Sequence, residues 1–441
     1  MTRFLAALLV LALSPAMAAE RMTIGYVDRA DDPRHEDRTG FGGILLEQRG
    51  RAIDGAKLAL EDLAAVGRSL NIEINLAEAR AENADAVAGE VEKLRREHNA
   101  QSIVVDAPAK ALIESARTRD AILFNVAADA DALRGADCQA QIMHAIPSLA
   151  MRTDALTQFV VARKWRDILV LEGPDARDVD AVRALERSAK RFGARIVAKR
   201  PFVLGSDPRE RDQNNLALLT GRPAYDVVFI ADESREVARF LPYQTLSPRP
   251  VIGSAGLTAQ AWHWAWDRDG GANLSRRFRR LAQRPMLAED WAAWIGVKSI
   301  VEAMLRVRTP DFTKVAAHLK SPDFRVDGSK GQALTFRPWD NQLRQPVQLA
   351  TNDAVIAQAP FTQFLHQTEN LDTLGADHPE SRRVAQRSCT GSRSPTRSPT
   401  RSNWSASHSM GNFIPPPRPW WWAVDCCFSL PRPRAMIRKG A

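Results

Sequence analysis

The chain has 441 residues, 45% of them hydrophobic and 26% charged, with 24 Gly and 26 Pro, which excludes a collagen-like fibre and a wholly disordered chain. Its formal charge of +9 invites a nucleic-acid reading, but residues 382–441 hold ten Arg and Lys439 against Asp425 alone. That segment carries a net +10 and everything before it sums to −1, so the body offers no overall attraction to a phosphate backbone and no nucleic-acid partner is expected.

Arg3, the apolar run over residues 4–13 and Ala16-Met17-Ala18 form the charged region, apolar region and small-residue cleavage site of a secretory signal. They predict an exported, periplasmic protein beginning at Ala19. Pro15 closes the run short of the roughly 20 apolar residues a membrane-spanning helix needs, no later stretch qualifies, and no Cys follows to carry a lipid anchor. Cys138 is the one body cysteine, the others being Cys389, Cys426 and Cys427. It could pair with Cys389, but a small, partly buried free thiol is the simpler expectation.

No repeat of solenoid period appears, and the length fits two lobes. From residue 21 onward short β-branched runs alternate with longer segments of helical spacing, as in βα units around parallel sheets. Residues 22–27 read as a strand and 51–66 as a helix with Ile53, Ala56, Leu60 and Leu63 on one face. A strand over 71–79, a helix over 85–98 with Val87, Val91 and Leu94 inward, a strand over 102–106, a helix over 110–117 and a strand over 121–126 complete a doubly wound lobe. A strand over 139–144 leads to Ile146-Pro147-Ser148, where Ser148 is placed to cap a helix over 149–163. The alternation restarts with a strand over 167–171, a helix over 179–192, a strand over 195–202, a helix over 213–219, a strand over 226–231, a short helix from Glu236 and an exit strand at Val251-Ile252. Helices over 290–307 and 312–319 follow, then a β-rich end over 325–356 with turns at Gly328 and Asp340-Asn341.

Beyond Ser381 the composition breaks: residues 382–441 include eight Pro, nine Ser and Trp420-Trp421-Trp422 without either structural period. Arg and Trp could suit nucleic acid or a membrane surface, but a segment with no core-forming period reads as disordered or as translation of a shifted frame, dispensable to the fold.

Catalytic signatures fail one by one. Gly40-Phe41-Gly42-Gly43 lies twelve residues beyond its strand, where a dinucleotide fingerprint must follow directly, so it reads as a flexible cleft loop. Gly253-Ser254-Ala255-Gly256 is one residue too short for a nucleophile elbow. The eight His are scattered and His35-Glu36 lacks a second His at metal-ligand spacing, so no metal or cofactor is expected. Trp262, Trp264 and Trp266 around His263 could wall a cation site, but an aromatic stripe packed on a neighbouring helix is the stronger reading. Asp129 with Glu172 is the one carboxylate pair an enzyme could use, and no catalysis is expected.

Two α/β lobes in series, Ile146-Pro147-Ser148 at the crossover and Asp290-Trp291-Ala292-Ala293-Trp294 opening a return helix resemble, over residues 21–380, the type I periplasmic substrate-binding proteins of ABC importers, which include branched-chain amino-acid receptors. Asn125-Val126-Ala127-Ala128-Asp129-Ala130-Asp131-Ala132-Leu133-Arg134, Phe336-Arg337-Pro338-Trp339-Asp340 and Leu343-Arg344-Gln345-Pro346 are similar to a subgroup linked with pyrroloquinoline-quinone-dependent alcohol dehydrogenase systems, whose members end near Pro379-Glu380-Ser381.

The resemblance implies two doubly wound lobes joined by a hinge, with the ligand cleft between them. The expected division is a signal at 1–18, a first lobe of 19–145 plus 253–324, a second of 146–252 plus 325–381, and the tail. Ligand contacts are expected at strand ends: Asp28, Ala107, Ala127, Ala128, Asp129, Glu172, Gly173, Asp232 and Ser254. The implied partners are a small molecule and an ABC permease, or alcohol dehydrogenase components if the protein acts as a sensor. Amino-acid receptors hold the substrate ammonium with an acid where this chain has Ala255, and Asp129 falls where they receive the carboxylate. That implies a neutral polyol, alcohol-derived or aromatic ligand, with Glu172 or Asp232 as possible substitutes for the acid.

Overall fold

The computed structural model describes residues 20–39, 43–204 and 214–377. The expected signal, residues 40–42 of the glycine run and the tail lie outside the described residues. The chain divides into two units, 1–392 and 393–441, and every described residue belongs to the first.

In chain order the first lobe builds β1 (Glu20–Arg29), β2 (Arg38–Thr39), β3 (Leu45–Glu47), α1 (Ile53–Ser69), β4 (Ile72–Ala81), α2 (Val87–Glu97), β5 (Ser102–Val105), α3 (Ala109–Ser115), β6 (Ile122–Asn125) and β7 (Ile142–His144). Strands β1, β4, β5, β6 and β7 form a parallel sheet in the order β4-β1-β5-β6-β7. A parallel sheet covered on both faces needs continuous apolar sequence, and β5 and β6 are buried at every position.

The second lobe follows with α4 (Leu149–Ala162), β8 (Asp167–Glu172), α5 (Ala176–Phe192), β9 (Arg195–Pro201), α6 (Leu216–Leu219), β10 (Val227–Ala231), α7 (Leu241–Gln244), β11 (Val251–Gly253) and β12 (Thr258–Gln260). Its parallel sheet runs β11-β10-β8-β9. Ser148 caps α4 as expected, accepting from Met151 N at 3.2 Å. The short helix expected at Glu236 begins instead at Leu241, because Asp232 draws the amides of Val237 and Ala238 into a turn.

The return comprises α8 (Gly271–Ala282), α9 (Ala288–Val307), α10 (Phe312–Leu319), β13 (Val326–Asp327), β14 (Ala333–Phe336), β15 (Leu343–Arg344), β16 (Val347–Ala350) and β17 (Val355–Ala359). Helix α8 has no counterpart in the sequence reading. The signal was present: Leu274, Phe278 and Leu281 recur at helical spacing among four arginines.

The expected lobe borders move. Leu334, Phe336 and Leu343 pack with Phe124, Trp291 and Phe324 in the first-lobe core, while β12 pairs with β16 and Ala259 packs with Leu349 in the second. Residues 325–344 therefore stand with the first lobe and 253–260 with the second, since apolar burial rather than chain order decides membership. Of the three tryptophans at 262–266, Trp262 and Trp266 pack as core while Trp264 is exposed; Trp262 stacks on Trp291 with ring centroids 6.2 Å apart, and the segment is an irregular loop, not a helix. Cys138 is buried and disulfide-bonded, so the free thiol does not hold.

Chain crossings between the lobes are tied by buried polar groups. Arg134 donates to Ile146 O at 2.8 Å and to Gln342 Oε1 at 2.9 Å, and Gln345 donates to Ala145 O at 2.6 Å. Each buried donor thus finds an acceptor on the neighbouring crossing, as burial requires.

Candidate functional site

Strand ends from both parallel sheets meet at a cleft holding two adjoining cavities of about 750 and 240 Å³. Arg34, Asp129, Arg152, Arg177 and Ser254 line both, so the ion pairs around Asp129 form the partition. The larger has an apolar wall that includes Ala107, Leu149, Leu156 and Phe229.

Asp129 is presented by a rigid loop after β6. Asn125 Oδ1 accepts from Ala127 N and Ala128 N at 3.2 and 2.8 Å, and buried Arg134 holds the Ala128 carbonyl at 2.8 Å. Burial lowers the Arg134 pKa to about 10, against the opposing pull of Asp131 and Asp129. The Asp129 carboxylate reaches across the cleft to Arg152 at 3.0 Å and Arg177 at 3.2 Å, both on the second lobe. Arg177 also pairs with Glu233 at 3.0 Å.

The first-lobe wall carries a second cluster. Arg34 Nη2 lies 2.6 Å from Asp32 and 2.7 Å from Asp106, and His35 Nε2 lies 3.1 Å from Asp106. Burial works against the charge on Asp106, but Arg34 and His35 outweigh it and hold the carboxyl well below its usual range. Burial likewise opposes the imidazolium, yet the hydrogen bond and charge of Asp106 raise the His35 pKa. Asp32, His35 and Asp106 bring metal-ligand atoms within 4.8 Å of one another. Arg34 already supplies the cation between the two carboxylates, so the cluster does not fit a metal ion.

Of the residues expected from sequence, Ala107, Ala127, Ala128, Asp129 and Ser254 line the larger cavity, and Asp232 lines the smaller. Asp232 serves the turn after β10, and its own amide donates to Ser254 Oγ at 3.0 Å. Asp28, Glu172 and Gly173 line neither cavity. Asp28 is buried against Arg51 at 2.6 Å, Glu172 lies 3.8 Å from Lys199, and Gly173 gives Asp178 room to approach. The carboxylate pair Asp129 and Glu172 is therefore not assembled, because Asp129 is held by two arginines and Glu172 turns to Lys199.

Sequence reasoning missed Arg34, His35, Asp106, Arg152, Arg177 and Glu289. Asp106 directly precedes Ala107 at a strand end and was within reach of the strand-end rule. The arginines lie inside helices or loops and carry no such positional signal.

The amides at the start of α4 are engaged, and the lining arginines have internal carboxylates beside them. At the start of α4, Leu149 N donates to Asp129 O, Ala150 N to Asp131 Oδ1 and Met151 N to Ser148 Oγ. Every arginine lining the two cavities has a carboxylate oxygen within 3.6 Å.

No protein-family model matches the chain, and no curated protein matches it. Solved structures do. A substrate-binding protein of an ABC transporter from Sphaerobacter thermophilus superposes with a TM-score of 0.64 at 14% identity, covering 81% of this chain and 100% of that one. The leucine-, isoleucine-, valine-, threonine- and alanine-binding protein of Brucella ovis, in its closed conformation, gives 0.60 at 16% identity over 84% and 99%. A solute-binding protein of an ABC transporter from Rhodopseudomonas palustris BisB5, in complex with 3,4-dihydroxybenzoic acid, gives 0.58 at 12% identity over 77% and 94%. Among the described residues no helix is long and apolar enough to cross a membrane. With parallel sheets in two lobes and a cleft at their strand ends, the chain has the α/β fold of the type I periplasmic binding proteins.

Proposed function

We propose that the protein captures a small solute in the cleft between its lobes, in the periplasm, and presents it to an ABC permease. The single observation that carries this reading is the cavity of about 750 Å³ at the carboxyl ends of both parallel sheets, the place and size at which α/β proteins take ligands. A ligand that touches both lobes favours the closed form by its differential affinity, and a transporter can read that form. No bond need be made or broken.

The ligand is not an α-amino acid. Its carboxylate would find the α4 amides and the lining arginines already engaged, and displacing an internal carboxylate exchanges one ion pair for another with little gain. The Brucella ovis and Rhodopseudomonas palustris proteins take amino acids and an aromatic acid; this cleft suits a molecule that offers donors and an apolar body.

The alternative of a sensor or accessory protein for a quinoprotein alcohol dehydrogenase rests on sequence motifs. Co-purification with permease rather than dehydrogenase subunits separates the two partners.

A thermal-shift screen of small solutes tests the binding role. A ligand at 100-fold its Kd adds about 2.7 kcal/mol of stability, a rise of several degrees in Tm. Leucine, isoleucine and valine at millimolar concentration should leave Tm unchanged while a carboxylate-free solute raises it. A rise with any of the three would overturn the ligand class.

A further inference from the structure

The acids of the smaller cavity all have ionic or hydrogen-bonding partners, with one exception. Seven acids line the smaller cavity. Asp106, Asp129, Asp232 and Glu233 have the partners given above, Glu47 holds Arg49 at 2.7 Å, and Asp290 holds buried Arg284 at 2.6 Å. Among the described residues the seventh, Glu289, makes neither a hydrogen bond nor an ion pair. It stands half-buried in the first turn of α9, where the helix dipole favours a carboxylate but leaves its acceptor capacity open. It lines the same cavity as Arg34 and Arg177, one from each lobe, and pairs with neither.

His35 borders the same cavity, its Nε2 engaged by Asp106, but its Nδ1 is buried in the wall and offers a ligand no open acceptor. A pocket with an open carboxylate, whose arginines each have an acid beside them, lacks a cation.

We infer that Glu289 anchors the ammonium of a small amine lacking a carboxylate, bound in the cavity of about 240 Å³. This rests on the solute-binding reading and narrows it: the acid lost at Ala255 is replaced not by Glu172 or Asp232 but by an acid of the return helix, on the opposite lobe. Such a site accepts an alkyl or aryl amine and discriminates against the matching alcohol, which brings no charge, and the matching acid, which Glu289 repels.

Titration calorimetry with ethanolamine, benzylamine and 2-phenylethylamine, beside benzyl alcohol, benzoate and leucine, provides the test in wild-type protein and in Glu289→Gln. At least one amine should bind saturably, weakened tenfold or more by E289Q, with Tm little changed because the side chain makes no structural bond. Amine binding equal in both proteins, or saturable binding of benzyl alcohol or benzoate alone, would overturn the assignment while leaving solute binding intact. If no probe binds, the molecule retained by protein from its own periplasm decides. A retained amine supports the assignment, a retained molecule without one refutes it, and a bare protein counts against solute binding itself.

Discussion

Asp106 is the residue on which the first-lobe wall turns. It neutralises Arg34 and orients His35, so Asp106→Asn should leave a largely buried guanidinium short of one partner and cost about 1–3 kcal/mol in urea unfolding. The pH dependence follows from the two shifts. His35 has a raised folded-state pKa, so its contribution is complete below its ordinary value near 6.5 and fades as pH rises through the folded value. Asp106 has a depressed one, so its contribution is present above the ordinary 3.8 and fades as pH falls through the folded value. Together they stabilise most between about pH 4 and 6.5. Imidazole NMR should place the wild-type His35 pKa above 6.5, and D106N should lower it; an unchanged value would show that Asp106 does not set it. At this scale the sequence was partly legible. Strand-end logic reached Asp129 and Ser254, but it could not foresee that Asp129 is neutralised by Arg152 and Arg177, because those contacts join residues 23 and 48 positions apart across a cleft that only folding creates.

Among the elements, the crossing of α1 and α9 holds the first lobe together and depends on the missing side chain of Gly55. A Cβ there would fall on the Asp290 carbonyl, so Gly55→Ala should push the helices apart and lower stability by about 1–3 kcal/mol, read as a lower denaturation midpoint with an unchanged urea slope. An unchanged midpoint would mean the helices slide past each other freely. Gly253 has a comparable constraint at the cleft: its φ of +111° and the nearby Ile230 carbonyl leave no room for a side chain where β11 meets both cavities. Most elements were legible because α1, α2 and the parallel strands carry clean apolar patterns. Helix α9 reads clearly for another reason, being apolar nearly all round between α1 and the sheet. Helix α8 was legible too, with Leu274, Phe278 and Leu281 on one face, but its four arginines masked it as a charged loop. The lobe borders were not legible: β13 to β15 and β12 are too short for chain order to reveal which core they join.

For the molecule as a whole, the fold supplies two lobes whose strand ends share one cleft, and the side chains supply a polar partition between a larger apolar cavity and a smaller one with an open carboxylate. That arrangement has a use only if something enters it. Native mass spectrometry of the protein recovered from its own periplasm tests this most directly, with Ala127→Trp, at a position that lines both cavities, as the matched control. The expected result is a one-to-one small-molecule adduct on the wild type, released on denaturation and depleted in A127W. A wild-type spectrum showing bare protein alone, or an adduct held equally by both, would contradict a receptor that works by enclosing a solute between its lobes.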